Sequence, residues 1–148
     1  MLDVACGGGR HARFFLERGH PVTLVDRDTS GVKDLHESPG VEILERDLEA
    51  GEPWPFAGRA FEGVVVTNYL WRPMLPDIVA SVAAGGVLLY ETFARGQEQF
   101  GKPRNPDFLL TPGELLEAVQ GTLRVVAYED RVIEDPDPRA VQRIAAVR

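Results

Sequence analysis

Three consecutive glycines, Gly7-Gly8-Gly9, interrupt a short apolar run that carries one acid, Leu2-Asp3-Val4-Ala5-Cys6. The chain then resumes as Arg10-His11-Ala12-Arg13-Phe14-Phe15-Leu16. Glycines at a strand-to-helix turn take positive φ and let a ligand approach the backbone closely. The helix after such a turn aims its unpaired N–H groups at the same point. Gly7, Gly9 and Ala12 satisfy the dinucleotide pattern G-x-G-x-x-G/A, and Asp26 stands about 20 residues further on, where an acid holds a ribose. A nicotinamide dinucleotide is therefore one ligand that fits. Two further acids favour a different one. Asp3 lies inside the first strand, four places before Gly7, where a dinucleotide fold usually keeps an apolar residue. Asp47, after the third strand, is placed to accept a hydrogen bond from an exocyclic amine. Three acids around a glycine turn suit an adenosine that carries an amino group and no phosphate, and they suit a pyrophosphate badly.

Other reactive residue types have quieter readings. Cys6 reads as a small apolar strand residue lending its backbone to the turn, not as a nucleophile. His11 sits on the first helical turn, where a solvated or capping role outweighs that of a base; His20 and His36 fall in turns and read as surface residues. No His, Cys or acid cluster has metal-ligand spacing, and no Ser–His–acid set is present. Arg72 follows the fourth strand and precedes Pro73. It either clamps an anionic substrate or pairs with Glu91 or a nearby acid. Tyr69 and Trp71 either wall a substrate pocket or pack.

The elements that must position these residues alternate. A helix is expected from Arg10 to Arg18, ending at Gly19, with Ala12, Phe15 and Leu16 on its inner side. Val22-Thr23-Leu24-Val25 is a buried strand that stops at Asp26-Arg27-Asp28. A weak helix follows over 29–36, then a strand at Val41-Glu42-Ile43-Leu44. Residues 49–60 form a loop pinned by Trp54 and Phe56, and Phe61-Glu62-Gly63-Val64-Val65-Val66-Thr67 is a strand. A helix is expected over 75–84, ended by Gly85-Gly86, with a fifth strand at Val87-Leu88-Leu89-Tyr90. The long connection over 94–110 reads as functional or as a lid. Thr111-Pro112-Gly113-Glu114 is a capping box opening a helix over 112–119. Strands over 123–128 and 142–147 close the chain as an antiparallel hairpin. The alternation implies an α/β fold, a doubly wound, mostly parallel sheet with helices on both faces.

At 148 residues the chain reads as one domain, too short to add a hydride-acceptor domain. No apolar run approaches the roughly 20 residues of a membrane helix, so no membrane partner is expected. One cysteine cannot form an internal disulfide and fits a reducing cytosol, hence a cytoplasmic location. A formal charge of −7 disfavours a nucleic-acid backbone, and a small-molecule substrate is expected instead.

The run from Leu2 to Arg10 resembles motif I of the class I S-adenosylmethionine-dependent methyltransferases. More narrowly, the chain resembles small bacterial methyltransferases of the tellurite-resistance type. That likeness rests on Asn68-Tyr69-Leu70-Trp71-Arg72-Pro73, Gly86-Val87-Leu88-Leu89-Tyr90-Glu91-Thr92-Phe93 and Pro106-Asp107-Phe108-Leu109-Leu110. The resemblance implies a Rossmann-like sheet of seven strands in the order 3-2-1-4-5-7-6. It implies S-adenosyl-L-methionine as cofactor, bound by Asp3, Cys6, Gly7, Gly8, Gly9, Arg10, Asp26, Arg27, Asp47, Leu48, Asn68 and Tyr69, with Asp26 on both ribose hydroxyls and Asp47-Leu48 beside the adenine. Asn68 and Tyr69 would face the methionine part and the substrate, and Asn68, Tyr69 and Arg72 are the weak catalytic candidates. Asn68-Tyr69-Leu70-Trp71 does not match the Asn-Pro-Pro-Tyr signature of DNA amino-methyltransferases. Family members carry one or more helices before the first strand. Their absence here predicts an uncovered sheet face, answered by a homodimer or by a longer natural chain. A non-catalytic cofactor-binding module and a nicotinamide oxidoreductase remain the alternatives.

Overall fold

β-Branched and apolar runs set the middle of a seven-stranded sheet in the computed structural model, which describes all 148 residues. Four parallel strands come first: β1 (Leu2–Val4), β2 (Val22–Asp26), β3 (Val41–Glu45) and β4 (Phe61–Thr67). Strand β5 (Val82–Phe93) continues the parallel set, while β6 (Arg124–Ile133) and β7 (Arg139–Val147) form an antiparallel hairpin. β7 inserts between β5 and β6, and the order is β3-β2-β1-β4-β5-β7-β6. This is the strand order that the family resemblance implies, on the doubly wound, mostly parallel sheet expected from the alternation of elements.

Side chains alternate across the sheet, and so the core divides. Leu2, Val4, Val25, Val64 and Val66 face the helices α2 (Leu75–Ala80) and α3 (Glu114–Val119), in a cluster that includes Ile78, Leu115 and Ile144. Val22 and Leu24 face the other way, under α1 (Arg10–Leu16), with Cys6, Ala12, Val32 and Leu35. That second cluster is small and does not reach β5 or β7. Leu89, 43% exposed, lines a groove of about 530 Å³ with Phe14, Phe15, Val65 and Ala145, and Val87, two residues earlier on β5, is 36% exposed.

Several boundaries differ from the sequence expectation for identifiable reasons. Helix α1 stops at Leu16, short of Arg18, and closes with Gly19 at φ 80°, its N–H donating to the Leu16 carbonyl while that of His20 donates to Phe15. This is a Schellman closure. Residues 29–36 hold a 3₁₀ segment, Ser30–Leu35, interrupted at Val32. The helix expected over 75–84 ends at Ala80. The Ser81 hydroxyl turns back onto the Asp77 carbonyl and receives the Trp54 indole N–H, and the Ser81 carbonyl accepts the Phe61 N–H. Gly85-Gly86 therefore ends no helix; it lies inside β5, where pairing with β4 jumps from Phe61↔Val82 to Gly63↔Val87. A Cβ on Gly86 would sit 2.9 Å from the Ala83 and Glu62 carbonyl oxygens. Only half of the expected capping box forms: the Glu114 carboxylate accepts the Thr111 N–H and hydroxyl, while the Glu114 N–H donates to the Thr111 carbonyl, not to its side chain, and α3 begins only at Glu114. The closing strands each run several residues beyond the expected bounds, because the hairpin pairs from Arg124↔Val147 to Ile133↔Arg139, with one register shift between Val125 and Ala127.

Candidate functional site

The glycine turn is built by alternating left-handed residues: Ala5 at φ 54°, Gly7 at 51° and Gly9 at 71°. The Gly9 N–H closes onto the Cys6 carbonyl, and the Cys6 N–H onto Val25. The three glycines have different jobs. A Cβ at Gly9 would stand 2.6 Å from Val32 Cγ1, so this glycine is required by packing. Gly7 and Gly8 meet nothing within 4 Å; the backbone there faces open space. Gly31 packs against the turn from behind: a Cβ there would stand 3.0 Å from the Gly7 carbonyl oxygen and 3.1 Å from the Gly8 Cα. Arg13 braces it as well, through the Gly8 and Gly31 carbonyls and a fork onto Asp34.

Two acids converge on this turn. Asp26, at the end of β2, accepts the Gly7 N–H at 2.8 Å on one oxygen and the Asp28 N–H at 3.1 Å on the other. Asp3 is 4% exposed and accepts the Ala12 N–H at 3.2 Å. Burial pushes its carboxyl up to about 6, partly opposed by that N–H and by Arg10. Burial likewise pushes the Cys6 thiol up to about 12, helped by Asp3 and Asp26, which leaves it neutral and unsuited to attack. Arg10 is exposed and lies 3.2 Å from the His11 ring nitrogen. His20 and His36 are exposed, and no group of His, Cys and acids is placed to hold a metal.

At the third strand, Asp47 is exposed and bonds the Glu49 N–H, while Leu48 is buried in the core. At the fourth, Asn68 takes a left-handed φ of 54° and its N–H donates to Glu91. That turn swings Tyr69 inward. Its hydroxyl is buried and has no hydrogen-bond partner. Burial raises the hydroxyl's pKa, and the nearby acids Glu49, Asp47 and Asp26 add to the effect. A phenol held protonated and unpaired is a donor available to a ligand atom. Tyr90 fixes the Tyr69 backbone by donating to its carbonyl at 2.9 Å.

Arg72 does not reach the site. Its guanidinium forks onto Glu114 and donates to the Asp107 and Leu109 carbonyls. The anion-clamp expectation fails because every face of the fork is already used, and the partner is Glu114; Glu91 pairs with Arg143. What Arg72 does is tie down the connection over 94–110. The two ends of this segment also meet, Ala94 pairing with Leu110, and the buried Gln97 donates to the Lys102 carbonyl while accepting the Ala140 N–H. The segment is a fixed wall, not a free lid.

That wall encloses a cavity of about 750 Å³ together with Arg27, Glu49, Asn68 and Tyr69. Lys102, Arg104 and Phe108 line its other side. The sequence had marked Arg27, Asn68 and Tyr69. It had not marked Lys102 or Arg104; the signal available was a pair of cations inside an unusually long connection in an acidic chain.

The sequence matches the methyltransferase domain family model over residues 1–85. No curated protein sequence matches it. Among solved structures, TehB from Haemophilus influenzae is 17% identical with a TM-score of 0.75; the match covers 99% of this chain, which spans only 57% of the TehB chain. An S-adenosylmethionine-dependent methyltransferase from Mesorhizobium loti is 15% identical, TM-score 0.75, with 99% of this chain and 89% of that one covered. The 1,6-didemethyltoxoflavin-N1-methyltransferase of Burkholderia thailandensis, solved with bound 1,6-didemethyltoxoflavin and S-adenosylhomocysteine, is 20% identical, TM-score 0.70, with 99% of this chain and 69% of that one covered. At these identities the likeness is one of fold, and the family match covers more than half of the sequence: the chain belongs to the methyltransferase domain family.

Proposed function

We propose that the 148 residues act as one S-adenosylmethionine-dependent methyltransferase domain working on a small acceptor. The observation that carries this reading is the glycine turn, open above Gly7 and Gly8 and flanked by the Asp26 carboxylate on the Gly7 N–H. When bound, S-adenosylmethionine supplies an electrophilic methyl on a positive sulfur. The chain's own residues hold and orient. Asp26 has lone pairs left on both oxygens for two ribose hydroxyls, Asp47 and Leu48 border the adenine, and Cys6, Gly7, Gly8, Gly9 and Arg10 supply the surface beneath. Asp3 and Asn68 lie toward the methionine end. Arg27 and Tyr69 stand where this site meets the cavity, and the unpaired Tyr69 hydroxyl is a donor for the acceptor or the methionine part. Orientation of two reactants in attack geometry is worth about 7–11 kcal/mol, and no base is needed unless the acceptor must lose a proton.

The test is conversion of S-adenosylmethionine to S-adenosylhomocysteine with a panel of small amines, thiols, phenols and carboxylates. Turnover supports the enzyme; tight binding without turnover across the panel favours a non-catalytic module, and NAD binding in its place ends the reading. A second copy of the chain is the proposed cover for the open face of β5 and β7. Its apolar strip of Val87, Leu89 and Ala145 is flanked by both charge signs, Glu91, Glu129 and Arg143, which suits an isologous contact. Light scattering that reports a clean monomer would remove this part. No helix is long and apolar enough to cross a membrane, and the proposed location is the cytoplasm.

A further inference from the structure

The cavity beside the cofactor site runs against the charge of the molecule. The chain carries −7 overall, yet three cations, Arg27, Lys102 and Arg104, line this space with a single acid, Glu49. Arg13, Arg59, Arg72 and Arg143 each lie against a carboxylate, whereas scattered surface cations such as Arg95 and Arg124 do not. The three cavity cations have no such partner. Nor is the backbone that carries Lys102 and Arg104 loose. Gln97 holds the Lys102 carbonyl on one side, and on the other Asn105 caps the next turn while Arg72 grips Asp107 and Leu109. Phe93, Phe108 and Leu70 line the same cavity, and Phe108 is 38% exposed. Lys102 and Arg104 are exposed on this cavity with no carboxylate against either, and an anionic ligand seated there supplies the missing partner.

Resting on the methyltransferase reading above, we infer that the acceptor is a small organic acid. Lys102 and Arg104 take its carboxylate, Phe93 and Phe108 take its apolar or aromatic body, and the atom to be methylated turns toward Asn68 and Tyr69. This makes Lys102 and Arg104 residues of acceptor specificity, with no role in holding the cofactor.

The experiment uses protein saturated with S-adenosylhomocysteine and titrated with benzoate, benzamide or inorganic phosphate, followed by calorimetry and amide NMR. Benzoate is expected to bind saturably and to shift the signals of Lys102, Arg104 and Phe108, with benzamide and phosphate at least about tenfold weaker, the scale of one charge-assisted hydrogen bond. The double variant Lys102→Ala/Arg104→Ala should lose benzoate by about ten- to a hundredfold while titrating with S-adenosylhomocysteine as the parent does. Arg124→Ala, which removes an exposed cation at the start of β6, should change neither. Equal binding of benzoate and benzamide, phosphate as tight as benzoate, benzoate undiminished in the double variant, or no saturable benzoate binding would each overturn the inference. Failure of the parent protein to bind S-adenosylhomocysteine at all would instead overturn the cofactor reading beneath it.

Discussion

Replacing Asp26 with Asn probes the cofactor site with the least disturbance to the fold. In the free protein the carboxylate takes two backbone N–H groups, Gly7 at 2.8 Å and Asp28 at 3.1 Å, one on each oxygen. Asn keeps the shape and one acceptor oxygen but turns the other position into a donor that faces an N–H. That mismatch costs the free protein about 1 kcal/mol. Binding suffers more. A hydrogen bond to a charged group is worth about 1.5–3 kcal/mol, and the variant loses one acceptor for a ribose hydroxyl while weakening the second. The sum is about 3 kcal/mol, or roughly a hundredfold in the dissociation constant. Calorimetric titration of parent and variant with S-adenosylhomocysteine reads this directly, and thermal melting of both without ligand checks that the fold survives. A variant that melts like the parent and binds within roughly threefold of it would refute the assignment of Asp26 to the ribose.

Other perturbations have equally definite outcomes. Gly9→Ala places a methyl 2.6 Å from Val32 at a φ of 71°, and should cost about 1–3 kcal/mol of stability, read as a lower denaturation midpoint; an unchanged midpoint would contradict the packing described. Asp3 has a folded-state pKa raised to about 6 from 3.8, so the native state holds its proton more tightly than the unfolded one. The free protein should therefore lose about 2–3 kcal/mol of stability as pH rises from about 4 to about 6. Asp3→Asn should remove that slope and stabilise the free protein at neutral pH while weakening cofactor binding, in denaturant titrations at pH values on either side of the window; a slope retained in the variant would place its origin elsewhere. Gln97→Ala leaves the buried Ala140 N–H without its partner, at about 1–3 kcal/mol, and should speed amide exchange over 97–103 with little change elsewhere.

The parts of this molecule that were readable in the sequence are those governed by neighbours along the chain. The run Phe61-Glu62-Gly63-Val64-Val65-Val66-Thr67 forms β4 over its expected length, and Asp26 lies at the end of β2 beside the glycine turn. Misreadings arose where a distant group decides the outcome. The helix expected over 75–84 stops early because Ser81 is bonded to Trp54 from 27 residues away. Whether Arg72 clamps an anion or pairs with Glu91 or another acid stayed open because its partner, Glu114, lies 42 residues further on. Lys102 and Arg104 could not be placed, because the wall that carries them is fixed by Gln97 reaching Ala140, 43 residues distant. The alternation of elements indicated a mostly parallel sheet with helices on both faces, and the strand order came with the family resemblance; the cavity beside Tyr69 needed the tertiary latches.

The most direct test of the account is a crystal structure of the chain with S-adenosylhomocysteine. The account predicts both Asp26 oxygens within hydrogen-bond reach of the ribose hydroxyls, the adenine beside Asp47 and Leu48, and the sulfur facing the cavity between Tyr69 and Lys102. A nucleoside bound away from Asp26, or a diphosphate bound over Gly7 and Gly8 with no affinity for the sulfur compound, would contradict it.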